Sequence, residues 1–267
     1  MTEFRLLDED DPHPVVVHRE QGASPLFLTC DHAGRRIPRR LGNLGLPAAE
    51  LARHITWDIG ALAISKLISD RLDATLVEQV YSRLVVDCNR APGMPSFIAP
   101  LSETTEIPGN VGLDPTEITA REWEIHRPYH DAILKLLDGR AAAGQASVLI
   151  AMHSFTPVFK GVKRKWQIGL LYHRDKRVAQ ILHELLADQG LEVGDNEPYA
   201  ITDTSDYGIP VHGEQRGIPH IEIELRQDLI ADEKGQREWA ERLAPLFEWI
   251  PALLKREPAE IARRMQP

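Results

Sequence analysis

The feature that most constrains the fold is the alternation, along most of the chain, of short apolar runs with longer amphipathic segments. Each short run has the length and residue types of a buried strand. Strands that alternate with helices are typical of a mostly parallel sheet covered by helices. The sequence therefore predicts an α/β fold with strands at LFLTC (26–30), ATLVEQV (74–80), LVVDC (84–88), SVLIAM (147–152), QIGLLY (167–172) and IPHIEIEL (218–225).

Apolar residues at helical spacing predict helices near 59–67, from 114 toward 137, over 174–189 and over about 233–255. The second of these begins at Asp114, which can cap the helix, with Pro115 in the first turn and Glu117 at the spacing of a capping box. The segment 91–113 is rich in Pro and Gly and is too long for an ordinary connection, which favours a functional loop or lid.

The length and composition, 267 residues with 43% hydrophobic and 27% charged, predict one domain over 1–267, with a core over about 26–255 and a loosely held tail over 256–267. The two cysteines, Cys30 and Cys88, form no CxxC pair, so we expect neither a disulfide framework nor a thiolate zinc site. The first twenty residues lack an apolar run, and no stretch of about 18 apolar residues occurs. We therefore expect a cytoplasmic protein that does not span a membrane.

The net charge of −9 argues against a nucleic-acid partner, because phosphate binding needs clustered Lys and Arg. The one dense basic run is KGVKRK at 160–165. It is either a solvated loop or a basic lip that attracts a small carboxylate substrate. The sequence gives no indication of the oligomeric state.

Polar side chains lie at the ends of three predicted strands: Asp31 and His32 after LFLTC, His153 and Ser154 after SVLIAM, and Glu222 and Glu224 within IEIEL. Ligands in open α/β sheets bind outside the carboxyl ends of the strands, so side chains from three strand ends can converge on one point. A single histidine at a strand end is more often a hydrogen-bonded structural residue. Two histidines with a nearby acid favour a metal site instead.

A catalytic zinc site without thiolates takes three imidazole or carboxylate ligands from the protein and keeps one position open for water. His32 and His153 supply the imidazoles, and Asp58 is the preferred third ligand, although an N-cap role explains Asp58 equally well. Asp31 ranks lower because it is adjacent to His32. Arg35, three residues after His32, cannot bind a cation. The sequence thus predicts a divalent metal, with zinc as the first choice, although such ligands accept several ions.

A metal-activated water needs a base that is not itself a ligand, and Glu224 is predicted to be that base. Glu222 points to the same face of the strand, because side chains alternate with period two, so it can orient a ligand or pair with an arginine. A structural salt bridge is the alternative for either acid. Two acids between apolar strand residues are costly to bury unless they are partnered, which favours a polar site.

The run YSRLVVDCNR places Arg83 and Arg90 on either side of a predicted strand, with Asp87 near its end. The arginine guanidinium matches carboxylate geometry, so both arginines are candidates for binding an acidic substrate. The alternative is that Asp87 pairs with an arginine to hold the loop. His130 in RPYH and His212 in HGEQRG are further candidates, and each is more often a helix-face or loop histidine.

The motifs CDHAG, WD at 57–58, SRLVVDCNR, RPYH, MHSF and IEIELRQD occur in an order and spacing that resemble the N-formylglutamate amidohydrolase family. The resemblance spans about residues 26–230 and rests on the ordered set, since no single motif is specific. More distantly, NR at 89–90, HS at 153–154 and ELR at 224–226 are similar to elements of zinc carboxypeptidases and aspartoacylases. This resemblance implies a phosphorylase/hydrolase-like, three-layer α/β/α fold with a mostly parallel or mixed sheet.

The resemblance also implies roles for individual residues: metal ligands at His32 and His153, the catalytic acid/base at Glu224, and contacts to the substrate carboxylate at Asn89 and Arg90. Arg226, within ELR, is a lesser candidate. Arg35 stands where carboxypeptidases carry a glutamate ligand, and this departure leaves the third metal ligand open.

The function predicted from these residues is hydrolysis of the amide of a small acidic N-formyl or N-acyl amino acid by a zinc-activated water. N-formyl-L-glutamate is the nominal substrate of the family. One alternative is a zinc peptidase or deacylase that acts on another acyl amino acid or a short peptide. The other is a metal- or amino-acid-binding protein without turnover. This alternative stays open because Arg35 stands where a metal ligand is expected.

Overall fold

The structure, a computed structural model, describes residues 5–256, so residues 257–267 of the predicted tail lie outside it. Within the described residues the strands are β1 (Val15–His18), β2 (Leu26–Cys30), β3 (Thr75–Gln79), β4 (Leu101–Ser102), β5 (Thr105–Glu106), β6 (Val148–Phe155), β7 (Val158–Phe159), β8 (Val162–Lys163), β9 (Ile168–Leu171), β10 (Val193–Asp195) and β11 (His220–Arg226). The helices are α1 (Ala48–Leu51), α2 (Ala61–Leu72), α3 (Pro115–Arg121), α4 (Arg127–Ala142), α5 (Arg177–Leu186) and α6 (Glu233–Leu253).

In the part of the chain that the structure describes, seven strands form one mixed sheet in the order β1-β3-β2-β6-β11-β9-β10. The central strands β3, β2, β6 and β11 are parallel, whereas β1 is antiparallel to β3 and β9 is antiparallel to β11. Strand β10 is parallel to β9, and the short pairs β4–β5 and β7–β8 form separate hairpins. The prediction of a mixed sheet in an α/β/α fold is confirmed.

Apolar clusters lie on both faces of the sheet. Leu26 and Leu28 of β2 belong to the cluster that contains α2, α5 and α6, whereas Phe27 belongs to the cluster that contains α4. The same period-two alternation operates in β11, whose apolar residues join the first cluster and whose Glu222 and Glu224 project toward the α4 side. Among the described helices, none is long and apolar enough to cross a membrane.

The helix predicted from Asp114 is present as α3 and α4, joined by a π-helical segment over Glu122–His126. The Asp114 side chain accepts hydrogen bonds from the backbone N–H groups of Thr116 and Glu117, and the Glu117 side chain accepts from the backbone N–H of Asp114. This reciprocal pattern is the predicted capping box.

Two strand predictions need correction. The run LVVDC (84–88) is not a strand but a series of turns, in which the backbone N–H of Asp87 donates to the carbonyl oxygen of Phe97. Its residues are apolar because they are buried in the core on the α4 side, and burial alone does not distinguish a strand from a folded loop. Strand β6 continues three residues beyond its predicted end, so His153 and Ser154 lie within the strand.

Candidate metal centre and active site

A cavity of about 460 Å³ lies at the carboxyl edge of the parallel strands β2, β6 and β11. Its walls combine residues from these strand ends with residues from the turns that follow β3. Such segments are far apart in the sequence, so the parallel sheet is what brings them together. The predicted site residues that line the cavity are His32, Asp58, Arg83, Asp87, Asn89, Arg90, His153, Ser154, Glu222 and Glu224.

The structure brings the three predicted metal ligands together. His153 Nδ1 lies 3.0 Å from Asp58 Oδ2 and 3.2 Å from His32 Nδ1, and His32 Nδ1 lies 3.5 Å from Asp58 Oδ2. All three residues are buried, and one ligand atom from each lies within 4.8 Å of the others. Two imidazoles and one carboxylate are a donor set used by catalytic zinc sites.

Asp58 reaches this position because the loop before α2 is hydrogen-bonded to the strand ends. Its backbone N–H donates to the carbonyl oxygen of His32 at 2.9 Å, and its Oδ2 accepts from the backbone N–H of Ser154 at 3.1 Å. The alternative N-cap role is not found, because α2 begins after Gly60 without a side-chain capping bond. Gly60 has φ +81°, and a Cβ there would lie 2.3 Å from the carbonyl oxygen of Ile230, so this turn requires glycine.

The ring nitrogen of His32 that is not in the ligand cluster, Nε2, contacts a carboxylate. His32 Nε2 is 2.7 Å from Asp87 Oδ1, and Nε and Nη2 of Arg83 donate to Asp87 Oδ2 at 3.1 and 2.7 Å. Burial raises the pKa of Asp87, but Arg83 and His32 outweigh burial and hold this pKa well below its ordinary value. Ionised Asp87 favours the proton of His32 on Nε2, which leaves the lone pair of Nδ1 for the other ligand atoms.

The outer ring nitrogen of His153 faces two further acids. Its Nε2 lies 3.7 Å from Asp31 Oδ2 and 3.8 Å from Glu222 Oε2, and Asp31 is itself held by the hydroxyl of Tyr129, which donates to Oδ1. Burial lowers the pKa of His153, but Glu222, Asp31 and Asp58 outweigh it and raise this pKa well above its ordinary value. The surroundings of His153 therefore favour positive charge, which a bound metal ion also provides.

Glu222 and Glu224 are buried acids in the cavity wall. Within the described residues, Oε2 of each has no hydrogen-bond partner. Burial raises the pKa of Glu222 to about 7 and raises the pKa of Glu224 well above its ordinary value. Unpartnered buried carboxyl oxygens are costly, and the cost is relieved when a cation or a polar substrate contacts them. These orphaned oxygens and the nearby two-imidazole, one-carboxylate set fit a divalent metal.

The three residues predicted to contact the substrate differ in how many hydrogen bonds and ion pairs they already make within the protein. The amide of Asn89 donates to Asp206 Oδ1 at 3.1 Å and accepts from two backbone N–H groups of 207–208, so Asn89 holds that loop. Arg83 is paired with Asp87. Arg90 donates to the backbone oxygen of Asn89 at 2.8 Å, and its contact to Asp206, at 3.6 Å, exceeds hydrogen-bond distance. Arg90 is therefore less engaged with acidic side chains than Arg83.

Four lesser candidates, Asp31, His130, His212 and Arg226, do not line the cavity. His130 Nδ1 is 2.8 Å from His212 Nε2, and burial lowers the pKa of both histidines, that of His212 to about 4. Arg226 Nε donates to Asp228 at 2.7 Å. These two histidines and Arg226 thus make structural contacts away from the ligand cluster, whereas Asp31 stands behind His153.

Other residues of the cavity were not singled out from the sequence: His54, Glu103, Tyr199 and Asp206. Glu103 belongs to the β4–β5 hairpin, inside the segment 91–113 that the sequence predicts to be a functional loop. Tyr199 and Asp206 lie in an irregular connection, where neither hydrophobic periodicity nor a strand end marks them.

Comparison with known proteins gives matches over most of the chain. The sequence profile of the N-formylglutamate amidohydrolase family matches residues 24–231. A gene product of Agrobacterium tumefaciens with a known crystal structure is 37% identical in sequence, with a TM-score of 0.92 and coverage of 94% of this chain and 100% of that chain. The N-formylglutamate amidohydrolase of Ralstonia eutropha is 19% identical, with a TM-score of 0.61 and coverage of 95% and 99%, which shows a shared fold.

More remote is an aspartoacylase family protein of Mesorhizobium loti, 15% identical over 82% of this chain and 57% of that chain, with a TM-score of 0.31. No curated protein matches the sequence significantly. Because the family profile matches far more than half of the sequence, the chain belongs to the N-formylglutamate amidohydrolase family.

Proposed function

We propose that this protein is a metal-dependent amidohydrolase that cleaves the amide of an N-formyl or N-acyl amino acid, with zinc as its metal. The observation that carries the proposal is the convergence of His32 Nδ1, His153 Nδ1 and Asp58 Oδ2 in a cavity that also contains the unpartnered carboxyl oxygen of Glu224. Membership of the N-formylglutamate amidohydrolase family supports the same reaction class.

His32, Asp58 and His153 are the residues that would hold the ion. When bound, a divalent ion supplies Lewis acidity, which polarises an amide carbonyl and makes water a better nucleophile at neutral pH. Asp87 orients His32 through the 2.7 Å contact to Nε2. Asp31 lies behind His153, so each imidazole has a carboxylate on its outer side, the arrangement that fixes ring orientation in metal sites.

Glu224 is the residue to which we assign proton transfer. It is not one of the three ligands, and it pairs in register with His153 across β6 and β11, which keeps it next to the cluster. In this mechanism its carboxylate takes a proton from the attacking water and delivers it to the amine nitrogen as the amide bond breaks. Its place on a buried central strand limits movement of the carboxylate between these two steps.

Arg90 is the residue to which we assign the carboxylate of the amino-acid portion. Its guanidinium is at the cavity wall, and its nearest acid, Asp206, is 3.6 Å away. An incoming carboxylate at hydrogen-bond distance would be a stronger partner than Asp206. Arg90 lines the same cavity as the ligand cluster, so a substrate carboxylate bound there would keep the adjacent amide within that cavity.

The test is Glu224→Gln, which keeps the shape of the side chain and removes the base. We expect kcat for N-acyl amino acids to fall by about 100-fold or more, while zinc still binds with the affinity of the wild-type protein in a competition titration. Glu241→Gln, an exposed change on α6, is the matched control and should leave both quantities unchanged. Turnover of the Glu224 variant within about threefold of wild type, at full zinc occupancy, would show that the base is assigned wrongly.

A further inference from the structure

Part of the cavity wall is apolar, unlike the ligand cluster. Leu101 from the β4–β5 hairpin, Phe159 from the β7–β8 hairpin and Tyr199 all line it. Leu101 is 55% exposed and Tyr199 is 42% exposed, although large apolar side chains gain free energy when they are covered. We call these three residues the apolar rim. A substrate that covered the rim would remove this surface from water.

Two residues of the apolar rim, Phe159 and Tyr199, contact Arg164 of the basic run 160–165. The guanidinium carbon of Arg164 lies 4.7 Å from the ring centroids of both Phe159 and Tyr199, and its Nη1 donates to the Tyr199 hydroxyl at 2.8 Å. In contacts of this kind the cation lies over the face of an aromatic ring and is attracted by it. Arg164 therefore packs against the two aromatic rings of the rim, and it is not among the residues that line the cavity.

Among its described lining residues, the cavity offers one available arginine to the carboxylates of a substrate. Of the described residues that line it, six are Asp or Glu and two are Arg. Of the two arginines, Arg83 is committed to Asp87, which leaves Arg90 for a substrate anion. Glu103 in the same wall is paired with Arg53 at 2.5 Å, and Asp206 lies 3.6 Å from Arg90, so the described lining residues leave no arginine for a second carboxylate.

We infer that the preferred substrate is an N-acyl amino acid with a single carboxylate, held by Arg90, and an apolar group, seated on the apolar rim, and that N-formyl-L-glutamate is a poor substrate. The inference rests on the proposed function and specifies its substrate class. The apolar group belongs to the side chain of the amino acid or to the acyl chain, and both have the same chemistry toward the rim. The cavity volume, about 460 Å³, leaves room for such a group beyond the scissile amide.

The experiment compares kcat/KM of the zinc-loaded protein for five compounds: N-formyl-L-phenylalanine, N-hexanoylglycine, N-formylglycine, N-formyl-L-glutamine and N-formyl-L-glutamate. The first two place the apolar group on opposite sides of the amide, and the last two differ in one charge at nearly constant size. We expect at least one apolar compound to exceed N-formyl-L-glutamate by about tenfold or more, with N-formyl-L-glutamine between them. The better of the two apolar compounds identifies which side of the amide meets the rim.

Leu101→Ser tests the rim itself, because an exposed side chain can be changed with little risk to folding. We expect it to lower the ratio of kcat/KM for the better apolar compound to that for N-formylglycine by about fivefold, mainly through KM. Val111→Ser, a change at another exposed apolar residue that lies outside the cavity, is the matched control and should keep the ratio.

Two results would overturn the inference, and they are distinguishable. If N-formyl-L-glutamate is turned over as well as N-formyl-L-glutamine and the apolar compounds, the substrate class is wrong while the proposed hydrolase stands. If none of the five is hydrolysed by protein that binds zinc stoichiometrically, the proposed function fails and the inference fails with it.

Discussion

Replacing Asp87 by asparagine tests whether a carboxylate behind the ligand cluster controls metal binding. Asp87 Oδ1 is 2.7 Å from His32 Nε2, and Oδ2 accepts two hydrogen bonds from Arg83. Asparagine keeps the size of the side chain and an acceptor oxygen, but it removes the charge that orients His32. Loss of such a partner weakens metal binding by about 10- to 100-fold, which corresponds to about 1.4 to 2.8 kcal/mol.

The assay is a competition titration of zinc between the protein and a chromophoric chelator at neutral pH, with circular dichroism to verify the fold. The matched control is Asp195→Asn, because Asp195 Oδ1 lies 3.3 Å from His183 Nε2 in an exposed pair away from the cavity. We expect the control to bind zinc as the wild type does. A correctly folded Asp87→Asn variant with unchanged zinc affinity would refute the reasoning about the outer carboxylate.

Three further predictions concern stability. Burial lowers the pKa of His212 from 6.5 to about 4, so the unfolded chain takes up the proton at a higher pH than the folded protein does. The free energy of unfolding should therefore fall by about 3 kcal/mol between pH 7 and pH 4 because of this group. Urea unfolding at the two pH values should show a smaller fall for His212→Gln than for the wild type, and equal falls would contradict the prediction. Gly60→Ala places a Cβ 2.3 Å from the carbonyl oxygen of Ile230, at a residue with φ +81°. The change should lower the free energy of unfolding by about 2 kcal/mol or more and weaken zinc binding by moving Asp58, and an unchanged melting temperature would disprove this. Tyr129→Phe removes the donor to buried Asp31 and should cost about 1 to 3 kcal/mol in denaturant unfolding, whereas a change below about 0.5 kcal/mol would argue against the contact.

The parts of the fold that were predictable are those in which local pattern and tertiary role coincide. The strands β2 and β6 are buried along their whole length because helices cover the sheet on both sides, and their apolar runs make this burial visible in the sequence. His32 and His153 could be found because polar residues at the ends of such strands are exceptional. Asp114 could be found because a capping box depends on residues three apart.

The parts that were not predictable depend on contacts between distant segments. The run at 84–88 has the composition of a strand, yet its backbone hydrogen bonds go to turns and to Phe97. Asn89 is predicted to contact the substrate, but the sequence does not show that its amide also holds the loop at 206–208, more than a hundred residues away. The cavity positions of Glu103 and Tyr199 follow from the β4–β5 hairpin and from an irregular connection, which leave no periodic signal.

The central claim, that the cluster of His32, Asp58 and His153 holds a metal needed for amide hydrolysis, is tested most directly by metal removal and return. The protein is stripped with a chelator, checked for residual metal and titrated with zinc, and the amino acid released from N-formyl and N-acyl amino acids is measured. We predict that hydrolysis disappears on stripping and returns at about one equivalent of zinc. Hydrolysis that persists in metal-free protein, or its absence at every zinc level despite stoichiometric binding, would contradict the account.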